Sequence, residues 1–339
     1  MQKRTTAVQQ HRNQSTPGSD NAKNSSSKLS KKKKERAHVG MDPRPRQKTV
    51  LVTGCSPGGI GHALCQTFRK QGLHVIATAR REDVIHGLVA EGFDALQLDV
   101  TSEESIAACH KQVQDITGGK LDILVNNAGR IHISPATDLS ISDVRATFET
   151  NVFGVMAMVK AFADHLIVAR GLIINISSCA AVTPYMFASV YCASKGAIAS
   201  YSRTLRQELR PFGVRVMVAI AGTVKSRIAE KPQPSLAPGS LYAKMGGLYA
   251  RYVHLSQEEG ATDTEVFAEE LVGNALKSEG GFLGRPDWLW CGGMSRKIWW
   301  ALKLFGEWVI DWQTWEMFGL AKLQRIVEDE RIANHSKRD

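Results

Sequence analysis

From Thr49 onward, short apolar runs alternate with longer stretches in which apolar residues recur every three or four positions. Val50–Val52, Val75–Ala77, Ala95–Leu98, Ile123–Val125, Leu172–Ile176 and Val214–Ile220 are β-branched or leucine-rich and apolar on both parities. Strands covered on both faces read this way. The stretches 60–71, 82–91, 102–116, 140–168 and 190–210 predict helices between them. Such alternation predicts an α/β fold, a doubly wound parallel sheet wrapped by helices over residues 47–280. No run of eighteen uninterrupted apolar residues occurs, so no transmembrane helix is expected.

The amino-terminal pattern is different. Residues 1–46 are rich in Ser, Asn, Gln and Lys and poor in apolar residues, which predicts a disordered basic tail. Residues 1–48 carry 13 Lys/Arg and three Asp/Glu, the whole of the net +10, so residues 49–339 balance at 30 of each. The basic balance therefore belongs to the tail, and no nucleic-acid partner is implied. The run Lys31–Lys34 reads as a solvated tail, a nuclear signal or an anionic-membrane contact. No apolar core marks a secretory signal, and Met41 is a second candidate start. Six cysteines without a CxxC pair predict neither a zinc site nor a disulfide framework, and point to a reducing compartment.

The first strand runs straight into Thr53-Gly54-Cys55-Ser56-Pro57-Gly58-Gly59-Ile60-Gly61 and then a helix. Glycines let a backbone turn tightly and approach a pyrophosphate, and a helix start offers free N–H groups to it. Gly54, Ser56, Gly59 and Ile60 are the candidate phosphate contacts. At the end of the second strand, where NAD sites place a carboxylate, the chain reads Ala79-Arg80-Arg81. A guanidinium there can fork onto a 2′-phosphate, so Arg80 predicts NADPH/NADP as cofactor.

Tyr191 and Lys195 are four residues apart and share one helix face. An ammonium near a phenol, whose free pKa is about 10, favours the ionised form. Ser178, thirteen residues before Tyr191, ends a strand and faces the crevice where such sheets bind ligands. With Asn126-Asn127-Ala128-Gly129 and Asn151 in order, the set resembles the short-chain dehydrogenase/reductase family over about 49–280. The resemblance implies a Rossmann-type fold and a catalytic set of Ser178, Tyr191, Lys195 and Asn151. Tyr191 would be the general acid/base, and Ser178 would hold the substrate oxygen. Lys195 would lower the tyrosine pKa and bind ribose hydroxyls, and Asn151 would hold a relay water. Asp99 would meet the adenine, Asn126 would line the cofactor cleft, and Val224 and Ser226 would touch the nicotinamide end. Lys160 is matched to a cofactor-binding position, although nine residues past Asn151 places it on roughly the opposite helix face. A homodimer through 140–168 and 190–210 is a family habit. Two departures stand out. The glycine turn is one residue longer than usual, with Pro57 in the extra space. Ala221-Gly222 replaces a Pro-Gly, which predicts a looser turn.

The carboxyl-terminal third adds a greasy character. All seven tryptophans fall between Trp288 and Trp315. Tryptophan favours the water–lipid interface, and Lys303, Glu307 and Asp311 interrupt the run. Residues 281–339 are therefore read as a carboxyl-terminal extension that lies on a membrane or packs on the domain. With Asn151-Val152-Phe153-Gly154 this body resembles fungal NADPH-dependent 1-acyldihydroxyacetone-phosphate reductases, and around Tyr191 also the 17-beta-hydroxysteroid dehydrogenases. The resemblance implies reduction of a lipophilic small-molecule ketone, or oxidation of the alcohol. It places the protein on endoplasmic reticulum or a lipid-droplet surface at the cytosolic face, and otherwise in the cytoplasm. A ketoreductase or alcohol dehydrogenase of secondary metabolism or of steroid-like substrates is the alternative. A non-catalytic lipid-surface protein is the alternative outside the enzymes.

Overall fold

A computed structural model describes residues 46–226, 235–245, 247, 249, 260–278 and 284–336. The tail predicted over 1–46 lies, apart from Arg46, outside the described residues.

The six predicted strands form as β1 (Thr49–Val52), β2 (His74–Ala79), β3 (Asp94–Gln97), β4 (Ile123–Asn126), β5 (Leu172–Ser178) and β6 (Arg215–Ala221). Between them run α1 (Ile60–Lys70), α2 (Glu82–Ala90), α3 (Glu103–Thr117), α4 (Ile141–Phe148), α5 (Gly154–Ala169) and α6 (Ser189–Leu209). The stretch 140–168 was expected as one helix. It is interrupted by a π turn, Glu149–Phe153, that holds Asn151. Beyond β6 come α7 (Thr264–Ala275), β7 (Trp288–Cys291), α8 (Ser295–Phe305), α9 (Glu307–Met317) and α10 (Leu320–His335).

The seven strands form one sheet in the order β3-β2-β1-β4-β5-β6-β7, and every neighbouring pair is parallel. Alternate residues feed two cores. Val50, Val52, Ile174 and Ala219 pack with Leu64 and Phe68 of α1 and Phe267 and Leu271 of α7. Leu51, Leu124 and Ile173 pack on the other face with Val113 of α3 and Met158, Phe162 and Leu166 of α5. The period of two in the strands thus explains why both parities are apolar. Taken together, α4, the π turn and α5 (Ile141–Ala169) are long and apolar enough to cross a membrane, but Met158, Phe162 and Leu166 are core residues.

The expected division at residue 280 does not hold in the sheet. Trp288–Cys291 lies in the segment assigned to the extension, yet pairs with Val218–Ala221 of β6. Leu289 and Cys291 turn into the core beside α7, while Trp288 and Trp290 pack on Val218 and Ile220. Its Trp-Leu-Trp-Cys run is as apolar on both parities as the other strands. Only its composition matches the helices that follow.

In a parallel sheet all strand ends of one kind lie along one edge. The loops after β1, β4, β5 and β6 therefore meet there, and the order reverses between β1 and β4. That reversal is the crevice where open sheets of this kind bind ligands.

Candidate active site

The glycine turn is held from behind. Gly54 and Gly58 adopt positive φ, and the Gly59 N–H donates to the Ser56 carbonyl at 3.0 Å, closing a loop over Pro57. Asn127 Nδ2 donates to the carbonyls of Thr53 (2.8 Å) and Gly54 (3.1 Å). A Cβ on Gly61 would stand 2.5 Å from both that amide nitrogen and the Gly54 carbonyl oxygen. The turn therefore requires glycine at 61 for packing. At Gly59, the residue that opens α1, no side chain caps the helix, and the first turn carries no acid. Its N–H groups and positive end are left for an anion. Ser56 is exposed and Ile60 half-buried beside them.

At the end of β2 the two arginines differ. Arg81 pairs with Asp83 at 2.9 Å. Arg80 is exposed and makes no ion pair among the described residues. It is the guanidinium free to meet a 2′-phosphate. Asp99 spends one carboxylate oxygen on its own turn, accepting from Thr101 N (2.9 Å) and Thr101 Oγ1 (2.7 Å). The uncapped helix start, the glycine cradle and Arg80 fit a phosphorylated dinucleotide in chemistry and place.

The catalytic candidates gather one strand further on. Tyr191 is half-buried and lies near Ser178, whose Oγ accepts from the Ala180 N–H at 3.2 Å. Burial pushes the Tyr191 pKa up to about 12, against the lowering effect of Ser178. Lys195 is 6% exposed, donates to the Ile176 carbonyl at 2.8 Å, and lies 5.7 Å from the centre of the Tyr191 ring. Burial lowers its pKa to about 8. Desolvation thus dominates the Tyr191 pKa in the protein alone.

Asn151 is 1% exposed. Its Oδ1 accepts from Arg130 N at 2.8 Å, and its Nδ2 donates to Arg130 O (2.9 Å) and Ser194 Oγ (3.0 Å). Both amide protons are used, so the side chain clamps the loop after β4 to α6. Asn126 is buried too. Its Nδ2 donates to Asn175 Oδ1 at 2.8 Å, and Asn175 passes the link to Ser202 of α6. Its Oδ1 is buried without a protein partner among the described residues.

Val224 is buried and bridges to Thr262, and Ser226 is half-buried. The turn before them is not loose. Thr223 and Gly293 exchange backbone hydrogen bonds at 2.9 and 3.1 Å, and Lys225 N donates to Thr262 O. A Cβ on Gly222 would fall against the Gly293 carbonyl. Lys160 is exposed on α5 and makes no hydrogen bond or ion pair among the described residues. The structure does not bring it together with the others.

Three residues escaped the sequence reading. Asn127 and Gly61 build the phosphate cradle, and Ser194 links Asn151 to the Tyr191 carbonyl at 2.8 Å. Asn127 was readable only as a turn residue, because its partner is 73 residues away. Ser194 had a signal, being inside Tyr-x-x-x-Lys.

An aromatic and aliphatic cluster flanks this edge. Ile133, Phe187, Met245, Tyr249 and Phe318 are buried together, with Tyr185, Met186 and Tyr242 beside them. Phe187 meets Tyr242 and Tyr249 edge-on at 5.2 Å, and the Tyr249 hydroxyl donates to Ile133 O at 2.9 Å.

Known proteins share this arrangement. Residues 48–236 match the short chain dehydrogenase family. A short-chain dehydrogenase of Neurospora crassa, srdE, is 39% identical over 278 residues, covering 82% of this chain and 94% of its own. The NADPH-dependent 1-acyldihydroxyacetone phosphate reductase of Schizosaccharomyces pombe is 39% identical over 259 residues, or 74% of this chain and 87% of its own. Among solved structures, a short-chain dehydrogenase from Streptomyces avermitilis superposes with a TM-score of 0.66 at 28% identity, covering 83% of this chain and 98% of that one. Serine dehydrogenase, solved with NADP+, has a TM-score of 0.60 at 28% identity, over 71% and 93%. With the sheet order, the glycine cradle and the Ser–Tyr–Lys cluster all in place, the chain belongs to the short-chain dehydrogenases/reductases and is an NADP(H)-dependent oxidoreductase of that family.

Proposed function

We propose that the chain reduces a lipophilic ketone to a secondary alcohol, with an acyl-dihydroxyacetone phosphate as the leading substrate class. It does so at the cytosolic face of endoplasmic reticulum or lipid droplets. The observation that carries this reading is the buried cluster of Phe187, Tyr242, Tyr249 and Phe318 at the strand edge that also bears Ser178 and Tyr191. A crevice walled in this way favours an apolar body over a polar one. The name of the Schizosaccharomyces relative supports an acyl ketone phosphate. A homodimer through α5 and α6 belongs to the same reading, since the outer face of this region exposes Phe153 and Val168.

When bound, NADPH supplies the hydride. Ser178 Oγ orients the carbonyl oxygen toward Tyr191. The Tyr191 phenol, pushed up to about 12, keeps its proton through the neutral range and releases it only as negative charge develops on that oxygen. Lys195, at about 8, is still mostly an ammonium at pH 7, so its charge offsets the phenolate left behind. Asn151 and Ser194 hold the loop after β4 against α6 and keep this geometry fixed.

NADPH oxidation with acyl ketone phosphates, steroid ketones and polyketide-like diketones tests the reading. The acyl ketone phosphate should give the highest kcat/KM. A preference for diketones or steroids moves the substrate to the alternatives, and no turnover with any of them overturns the reading. The cofactor preference should rest on Arg80. NADPH should exceed NADH at least tenfold in kcat/KM, about 1.4 kcal/mol, and Arg80→Asp should invert the ratio.

A further inference from the structure

Helix α9 carries its indoles on the surface, while its buried residue is Ile310. Trp308, Trp312 and Trp315 fall at i, i+4 and i+7, one stripe of the helix, and are 65%, 60% and 41% exposed. On another side of the helix Glu307 and Asp311, with Ile310, line a cavity of about 430 Å³ against Ala180, Val182 and Pro184. Glu307 and Asp311 are themselves exposed, so the tryptophans alone depart from the pattern of a water-facing helix, which turns such residues to the core. The stripe continues across Gly306 into α8, where Leu304, Phe305 and Trp300 are also exposed. The two helices hold three basic residues (Arg296, Lys297, Lys303) and three acidic ones (Glu307, Asp311, Glu316). A surface that is neutral overall and rich in tryptophan suits the interface of a zwitterionic lipid, not an anionic one.

The same element ends inside the substrate edge. One residue past α9, Phe318 is 3% exposed and meets Tyr185 edge-on with ring centres 6.1 Å apart. Tyr185 stands on the loop between Ser178 and Tyr191, and lies close enough to Tyr191 to oppose its ionisation. Leu320 and Leu323 of α10 join Phe318 in the aromatic cluster. One continuous piece of chain therefore runs from an exposed tryptophan stripe to a side chain that meets the loop leading into the proton donor.

We propose that α8 and α9 dock on a zwitterionic lipid surface and that the ketone enters from that surface past Phe318, which sets how long an apolar chain the crevice accepts. This rests on the reading of the chain as a reductase of lipophilic ketones. The insertion is driven by apolar area, so it is insensitive to salt.

The test compares a long-chain ketone held in phosphatidylcholine vesicles with a short, water-soluble ketone of the same head group, using the full chain and NADPH. Diluting the long ketone with more lipid at constant total concentration should slow its reduction in proportion to its mole fraction in the vesicle. The triple variant Trp308→Ser/Trp312→Ser/Trp315→Ser should stop floating with vesicles and lose at least tenfold in kcat/KM on the vesicle-held ketone. Its rate on the short ketone should stay unchanged, which also reports that it is folded. Phe318→Ala should still float and should change the long-to-short kcat/KM ratio at least threefold, whatever its effect on stability. A triple variant that leaves vesicles but keeps its rate on the vesicle-held ketone overturns lipid entry. An unchanged ratio in Phe318→Ala overturns the role of Phe318. Either result leaves the reductase reading standing, provided that the short ketone is reduced. Absence of turnover on both ketones overturns reading and inference together.

Discussion

Helices α6 and α9 both serve the carboxyl edge of the sheet, and each breaks the ordinary distribution of residues in the opposite direction. Helix α6 buries an ammonium: Lys195 is 6% exposed, with a backbone carbonyl for a partner and no carboxylate ion pair among the described residues. Helix α9 exposes indoles: three of its tryptophans are between 41% and 65% accessible. A buried lysine costs stability until it loses its proton, and an exposed tryptophan forgoes the gain from burial. Residues placed at a loss to the fold mark where chemistry or a partner makes use of them. The pair therefore separates what holds the protein together from what the protein does.

The largest expected effect falls on α6. Tyr191→Phe should lower kcat by more than about 10²-fold, the usual weight of a general acid, with NADPH affinity nearly unchanged by fluorescence titration. Wild-type turnover in the variant would remove the tyrosine from the chemistry. Lys195→Met should abolish turnover yet raise stability at pH 7 by about 1–3 kcal/mol in urea unfolding. The sign follows from its pKa. Folded Lys195 releases its proton near pH 8, whereas an unfolded lysine holds it to about 10.5. The unfolded chain binds the extra proton between those values, so the contribution of Lys195 to stability rises with pH across that window. Below pH 8 the burial penalty is present in full, and the methionine variant is spared it. A loss of stability at pH 7 would show that the Ile176 contact outweighs desolvation.

Two tryptophans sharpen the other side. Trp290 packs on Val218 and Ile220 under β6, so Trp290→Ser should cost about 2 kcal/mol. Trp312→Ser, at an exposed site, should change stability by less than about 0.5 kcal/mol. Equal costs at the two sites would erase the distinction between structural and surface-facing tryptophans.

Six strands and the crevice were legible because their signals are local. A β-branched run, a glycine turn and a Tyr-x-x-x-Lys spacing each lie within a few residues of chain. β7 was not legible, since four residues of Trp-Leu-Trp-Cys carry the composition of the helices after them, and only pairing with β6 reveals the strand. The tightness of the turn at Gly222 was hidden for a similar reason: its clasp, Gly293, is 71 residues away. The role of Asn151 as a clamp was equally out of reach, because it depends on Arg130 and Ser194 arriving from two other elements. Lys160 shows the converse. The helical period already set it apart from Asn151, and it does stand on the exposed side of α5.

The clasp of Gly293 on Thr223 also limits how this chain can be recombined. The family match ends at residue 236, and composition suggests a seam at 280. A chimera cut at either seam would import a foreign seventh strand and a foreign clasp beside Val224 and Ser226. A Cβ on Gly222 would strike the Gly293 carbonyl, and one on Gly293 would strike the carbonyl of Gly260. The two glycines must therefore stay together with Gly260, and a graft that exchanges the tryptophan-bearing helices between relatives has its natural joint after Ser295.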